Sequence, residues 1–231
     1  MHPNPFLLPS SSAMRPLPVL LVPLVTFSLA IGAPHSAPAE APDPIPLGKL
    51  CAASTKAEKS KDYAAATSAM KSYQQRGGDP FIATLRLGWL YFQAAQYADA
   101  AQAYHQASVL QPTSLNALLG SLNAAQAMLD IRNTARAADA VLHVDPNNYL
   151  ALMALGGLHF AQKEYDKATV DYFRVLVHYP DDPDALSGAA WSALRAGDPA
   201  TAHPKFTLLL EINPDYPQAR EGYGLSARSH R

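Results

Sequence analysis

The apolar positions of the chain repeat with a period of 34 residues. In rows that start at residues 47, 81, 115, 149, 183 and 217, position 4 is mostly leucine and position 24 is mostly large and apolar. Small residues occupy positions 8 and 20, and Pro112, Pro146, Pro180 and Pro214 all stand at position 32. Repetition at such a fixed interval indicates a repeat architecture.

Each row predicts two antiparallel helices, helix A over positions 1–14 and helix B over positions 17–30. Proline at position 32 ends helix B, because it has no N–H to donate and clashes with the preceding turn. The small residues Gly88 and Gly156 are expected to face Ala100 and Ala168 where the paired helices lie closest. Because one helix pair cannot bury its own apolar face, the pairs are expected to stack.

Some rows depart from this pattern. Leu122 is a large residue at position 8, and the first row ends in Gly77-Gly78 where the others have proline. The row that starts at residue 217 has room for only one helix, which is expected to cap the stack.

The fifth row predicts an irregular helix B. Asp198 is a good N-cap and Pro199 a good first helical residue. Pro204 lies beyond the first turn, where its missing donor is expected to kink the helix or to delay its start.

The row from Phe81 to Pro112 resembles a tetratricopeptide repeat. The signature positions are filled by Leu87, Gly88, Tyr91, Ala100, Tyr104, Ala107 and Pro112. The row from Tyr149 is similar through Leu155, Gly156, Ala168, Tyr172 and Pro180. The resemblance implies an all-α fold, a right-handed α-solenoid over residues 47–231. Its five repeats start near residues 47, 81, 115, 149 and 183, with a capping helix from residue 217.

Residues 1–33 have the order of a secretory signal peptide. Arg15 precedes an apolar run over residues 17–31, and small residues suitable for cleavage lie at Ala30 and Ala39. An uncleaved signal-anchor is the alternative, and Met14 is an alternative start. Residues 34–46 are rich in proline and alanine and predict an extended linker. An exported protein is expected, most simply periplasmic, or else membrane-anchored and facing the periplasm.

Composition excludes several classes of function. A net charge of −1 argues against nucleic-acid binding, which needs a basic field. The single cysteine, Cys51, excludes an intramolecular disulfide and a cysteine-based zinc site. The eight histidines form no metal-binding motif, and His159 is interpreted as a packing residue. Asp182 and its neighbours are interpreted as helix caps. We expect no enzyme activity, no metal and no cofactor.

The resemblance implies that the A helices line a concave groove, with positions 2, 5, 9 and 12 facing into it. The candidate partner-binding residues are Ile82, Leu85, Trp89, Phe92, Asn116, Leu119, Asn123, Met153, Phe160, Trp191 and Leu194. This groove is apolar and aromatic, with an amide band in its middle. The alternative is that these side chains pack against the next A helix. Some family members clamp a terminal carboxylate with cations at positions 2, 5, 6 and 9, but here only Arg86 fits that pattern.

The sequence thus predicts an exported, non-catalytic scaffold that binds a peptide or helix of a partner protein during assembly of a cell-envelope complex. Two alternatives are a self-assembling structural protein and a signal-anchored subunit of a membrane complex.

Overall fold

The computed structural model describes residues 45–228, which form eleven α-helices. The A helices are α1 (Leu47–Lys59), α3 (Pro80–Gln93), α5 (Leu115–Ala127), α7 (Tyr149–Ala161) and α9 (Pro183–Ala196). The B helices are α2 (Tyr63–Gln75), α4 (Tyr97–Leu110), α6 (Ile131–Val144), α8 (Tyr165–His178) and α10 (Pro199–Ile212), and α11 (Ala219–Arg228) follows. The predicted leader and most of the linker lie outside the described residues.

Each helix packs against the next one along the chain, as expected for stacked helix pairs. Helix α3 also contacts α5, α5 contacts α7, α7 contacts α9, and α9 contacts α11. Within residues 45–228 no comparable contact joins two B helices. Neighbouring A helices are therefore closer together than neighbouring B helices, which makes the A helices the inner layer of a curved stack. The predicted all-α solenoid is confirmed.

The turn between helix A and helix B has the same geometry in all five repeats. Position 15 adopts a positive φ each time, in Lys61 (60°), Ala95 (58°), Leu129 (55°), Lys163 (63°) and Gly197 (86°). In the central repeat the Leu129 N–H donates to the Gln126 carbonyl at 2.9 Å, and the Asp130 N–H donates to the Ala125 carbonyl at 3.0 Å. This pair of bonds closes the end of helix A. Only Gly197 makes the turn without the steric cost of a Cβ atom.

Helix B ends before proline in four repeats. The residue that precedes the proline is extended in each case, with φ between −131° and −137°, at Gln111, Asp145, Tyr179 and Asn213. Proline disfavours helical backbone in the residue before it, so the sequence itself stops these helices. In the first repeat Gly77 takes over this role with φ +81°. Asp182 accepts a bond from the Ala185 N–H at 2.7 Å, which confirms its interpretation as a cap.

Glycines at position 8 of one A helix and at position 6 of the next make room for aromatic rings. A Cβ atom on Gly88 would lie 2.8 Å from the ring of Tyr104, and one on Gly120 would lie closer still. Gly120 belongs to the next A helix, so the ring lies between two glycines of successive repeats. The atoms nearest to a Cβ on either glycine all belong to this ring, while the expectation that position 8 faces position 20 stays a prediction. Ala100 is nevertheless fully buried, as expected for a tight helix pair.

Tyr172 repeats this arrangement between Gly156 and Gly188, and Phe206 packs against Gly222 of helix α11. Burial raises the pKa of Tyr172 to about 12, so this phenol stays neutral at physiological pH. These contacts join the second repeat to the third, the fourth to the fifth, and the fifth to α11, which is thereby positioned as the cap.

Helix α10 begins at Pro199, and the Asp198 carboxylate accepts a bond from the Thr201 N–H at 3.0 Å. The predicted cap is confirmed, and a delayed start is wrong. The helix continues through Pro204 to Ile212. Pro204 is exposed on this helix, and the kink expected there stays a prediction.

Candidate functional site

The eleven candidate groove residues lie on the A helices, and none of them is buried. Ile82 is 50 % exposed and Trp89 43 % exposed, and both asparagines are exposed. The half-buried members are Leu85, Phe92, Leu119, Met153, Phe160, Trp191 and Leu194. Leu150, at position 2 of the fourth repeat, adds a further apolar side chain that is 48 % exposed. The inner layer of the solenoid thus carries an accessible apolar strip, called the groove below.

Several groove residues also support the core. Met153, Phe160 and Leu194 pack against the buried cluster of the last two repeats. The Phe160 ring lies 5.5 Å from that of Tyr165 across the α7–α8 turn, and Phe92 makes the equivalent contact with Tyr97 at 5.4 Å. The packing interpretation therefore holds for one side of these side chains, while the other side remains accessible.

The two tryptophans occupy the same repeat position but different environments. The Trp89 indole N–H donates to the Glu58 carboxylate at 2.7 Å, and Glu58 also pairs with Arg86. Trp191 instead packs edge-on against Phe206, a fully buried ring, at 5.2 Å between centroids. Trp89 is consequently held on the surface by polar bonds, and Trp191 is anchored by the core.

An open pocket of about 370 Å³ lies beside Trp89, at the turn between α1 and α2. Its walls include Tyr63, Lys59 and Lys61 from that turn together with Glu58. Sequence reasoning missed this feature, here called the turn pocket, because Glu58 and Trp89 are 31 residues apart and the other repeats have no acid at position 12.

Two segments of the chain, residues 122–185 and 187–231, match the family described as tetratricopeptide repeat. They cover the second half of the solenoid, and the repeats before them share its helix pattern and turn geometry. The chain from residue 122 onward is thus similar to tetratricopeptide repeats.

Solved structures with this fold extend the likeness over most of the chain. A crystal structure of MamA protein is 20 % identical, with 75 % of this chain and 94 % of that chain covered and a TM-score of 0.66. A tetratricopeptide repeat protein from Parabacteroides merdae is 18 % identical, with coverages of 80 % and 76 % and a TM-score of 0.68. MamA from residue 41 onward of Desulfovibrio magneticus is 15 % identical, with coverages of 74 % and 97 % and a TM-score of 0.64. At these identities the likeness shows the fold alone. Comparison with curated proteins gives no match.

His159 has a polar partner that sequence reasoning missed. Its Nδ1 atom lies 2.7 Å from an oxygen of Asp171, which is 7 % exposed, and its Nε2 atom lies 3.8 Å from Glu164. Burial raises the pKa of the Asp171 carboxyl, and the bond to His159 opposes that rise. Only this repeat has polar residues at both position 11 and position 23, and that coincidence is the signal in the sequence that could have indicated the pair. Its packing interpretation is thus corrected to a hydrogen bond across the α7–α8 hairpin.

Within residues 45–228, no group of three or more histidines, cysteines or acids lies close enough together to hold a metal ion. Cys51 is a half-buried free thiol. No helix in this range is long and apolar enough to cross a membrane.

Proposed function

We propose that this protein is an exported, non-catalytic tetratricopeptide repeat scaffold that holds a peptide or helix of a partner protein in its groove. The observation that carries the proposal is the accessibility of all eleven groove residues on one layer of helices. Exposed apolar patches of this kind mark protein-binding surfaces. Assembly of a cell-envelope complex is the task that agrees best with the predicted leader.

The spacing of the repeats sets the size of the ligand. Adjacent packed helices lie about 8–10 Å apart, so Trp89 and Trp191, three repeats apart, are roughly 24–30 Å from each other. An extended segment of about seven to nine residues covers this distance, as does a helix of roughly 16–20 residues. A ligand of either kind would bury the apolar side chains between the tryptophans.

Matched double variants test the groove. Ile82→Glu with Leu150→Glu places two charges on exposed A-helix sites, whereas Val109→Glu with Val177→Glu places them on exposed B-helix sites. In affinity capture from the native envelope fraction, the first variant should lose a partner that the wild type and the second variant retain. Loss of the partner in the B-helix variant alone would move the binding surface to the outer layer.

Export is tested separately by N-terminal sequencing of the protein from its native host. The mature chain should start near Ile31 or Glu40 and be recovered in the periplasmic fraction. An intact leader in the membrane fraction would instead establish the signal-anchored form.

Sedimentation velocity across a hundredfold range of protein concentration distinguishes self-assembly from the binding of a different protein. A constant sedimentation coefficient is expected for a scaffold that binds other proteins. Growth in size that is abolished by Ile82→Glu with Leu150→Glu would show that the groove binds another copy of the chain.

A further inference from the structure

The first repeat is the basic end of an otherwise acidic solenoid. Residues 47–80 hold five lysines and one arginine against three acids, a net charge of +3. Residues 149–216, the fourth and fifth repeats, hold five cations against nine acids, a net charge of −4. A partner that lies along the groove therefore meets a positive field at its first-repeat end.

All three acids of the first repeat are already engaged within the fold. The Asp62 carboxylate accepts a bond from the Ala65 N–H at 3.0 Å and caps α2, and Asp79 caps α3 through the Ile82 N–H at 2.9 Å. Glu58 pairs with Arg86 and with the Trp89 indole. Their negative charge is thus tied to helix ends and to one cation.

Lys59 and Lys61 remain without such a counter-charge. Among the residues that the structure describes, no carboxylate lies within ion-pair distance of either ammonium group. Both lysines line the turn pocket. The positive φ of Lys61 fixes the backbone of this turn, so the pocket presents two cations from one short, well-defined segment.

The aromatic wall of the pocket is held in place. Because Glu58 takes the indole N–H of Trp89, the wall offers a partner the apolar ring and not a hydrogen-bond donor. Tyr63 contributes a second ring from the start of α2. A volume of about 370 Å³ is at the small end of the range for ligand pockets, about 300–1,000 Å³. The pocket is therefore sized for one or two side chains of a longer ligand.

We propose that the turn pocket binds an acidic segment of the partner protein, with a carboxylate at Lys59 and Lys61 and an adjacent aromatic or aliphatic side chain against Trp89. The proposal rests on the proposed groove function and names the chemistry of its ligand. Lys59 ends α1 at position 13 and Lys61 lies in the following turn at position 15, so the acidic segment would lie at the first-repeat end of the groove and continue along it. A nucleic acid would need a longer basic track, whereas groove positions 2, 5, 9 and 12 of the second to fifth repeats carry no cation.

A selection experiment tests the charge preference without a known partner. The full chain is used to select from a phage-displayed library of random dodecapeptides, in parallel with two charge-matched double variants. Lys59→Glu with Lys61→Glu reverses the pocket, and Lys49→Glu with Lys56→Glu reverses two exposed lysines of the same helix that lie outside the pocket. The wild type and the control variant should enrich peptides in which Asp or Glu adjoins an aromatic or aliphatic residue. The pocket variant should lose this preference.

Binding titrations with the synthetic form of the best wild-type peptide sharpen the result. Lys59→Glu with Lys61→Glu, and separately Trp89→Ala, should each weaken its affinity about tenfold or more, and the control variant less than about threefold. Glu58→Gln should strengthen the affinity a few-fold, because it keeps an oxygen for the Trp89 N–H and removes the acid of the pocket.

Three results would contradict these proposals in different ways. Enriched peptides without acidic residues, still lost with Ile82→Glu and Leu150→Glu, would overturn the acidic ligand and leave the groove function standing. An equal loss of affinity in both lysine variants would also overturn it, since general charge would then explain binding. No enrichment with any form of the protein would overturn the groove function, and the acidic ligand with it.

Discussion

In the repeats at residues 81–114 and 149–182, a tyrosine of helix B fills the space left by two glycines. In the central repeat, residues 115–148, the positions are exchanged: Leu122 stands in place of the glycine and Ala138 in place of the tyrosine, and both are fully buried. The large side chain thus comes from helix A in the central repeat and from helix B in its neighbours. What the repeats share is the combined volume of the two side chains at position 8 of helix A and position 24 of helix B, as close packing requires.

The same repeats differ at the surface. The central repeat places Asn116 and Asn123 in the groove, where its neighbours have aromatic or aliphatic side chains. Its A–B turn carries Leu129, which is 75 % exposed although its backbone has a positive φ. The core of the central repeat therefore follows the common volume rule, while its surface departs from that of its neighbours.

Removal of the central large residue should give the largest effect. Leu122→Gly should lower the free energy of unfolding by about 4 kcal/mol, from the cavity and from glycine in a helix. Addition of Ala138→Tyr and Ala154→Gly rebuilds the neighbours' arrangement and should recover at least about half of that loss. Chemical denaturation measures both. Leu150→Gly, at an exposed helical site, is the control and should cost only about 1 kcal/mol. A triple variant no more stable than Leu122→Gly would contradict the exchange of volume.

This exchange marks the limit of what the sequence could predict. The helices and their ends could be predicted because proline and the 34-residue period act locally. Leu122 looked like an exception because positions were compared one at a time, whereas packing depends on pairs. The contact of Tyr104 with Gly120 joins two successive repeats, so no single row contains it.

The positive φ at position 15 was hidden because four of its five residues are not glycine. In the candidate site, the exposure of the groove residues could be predicted from their positions around the A helices. The bond between Glu58 and Trp89 could not, because it depends on one acid that the other repeats lack.

The glycines that contact the tyrosines of the neighbouring repeats should be the next most sensitive. Gly188→Ala should lower the free energy of unfolding by about 2 kcal/mol, because the new Cβ would overlap the Tyr172 ring. Gly157 is the control, since a Cβ there meets only the Tyr172 hydroxyl at 3.8 Å. Gly157→Ala should be neutral or stabilise the helix by up to about 1 kcal/mol. Equal unfolding midpoints for the two variants would show that the ring moves aside freely.

Asp171 should make the stability of the fourth repeat depend on pH. The central repeat has Ala137 at the same position and lacks this titrating group. Burial raises the folded-state pKa of Asp171 above its unfolded value, with Asp139 adding to the rise and Arg174 opposing it. The folded protein therefore holds this proton more tightly, and stability is lost as the pH rises through the folded pKa. Asp171→Asn should remove that loss and keep an oxygen for His159. The melting temperature of the Asp171→Asn variant, relative to that of the wild type, should rise between pH 4 and pH 7. A difference between the two melting temperatures that stays constant over this range would contradict the raised pKa.

The smallest effect is expected at the turns, where the central repeat carries the least suitable residue. Leu129 makes few contacts and bears the steric cost of a positive φ, so Leu129→Gly should raise the free energy of unfolding by about 1 kcal/mol. Gly197→Ala introduces the same cost at the equivalent turn and should lower it by about 1 kcal/mol. Both are measured by denaturant titration of the full chain. If Gly197→Ala is destabilising and Leu129→Gly is not stabilising, the leucine makes contacts that offset its strain. If neither variant changes stability, the turns tolerate a Cβ atom and carry no strain.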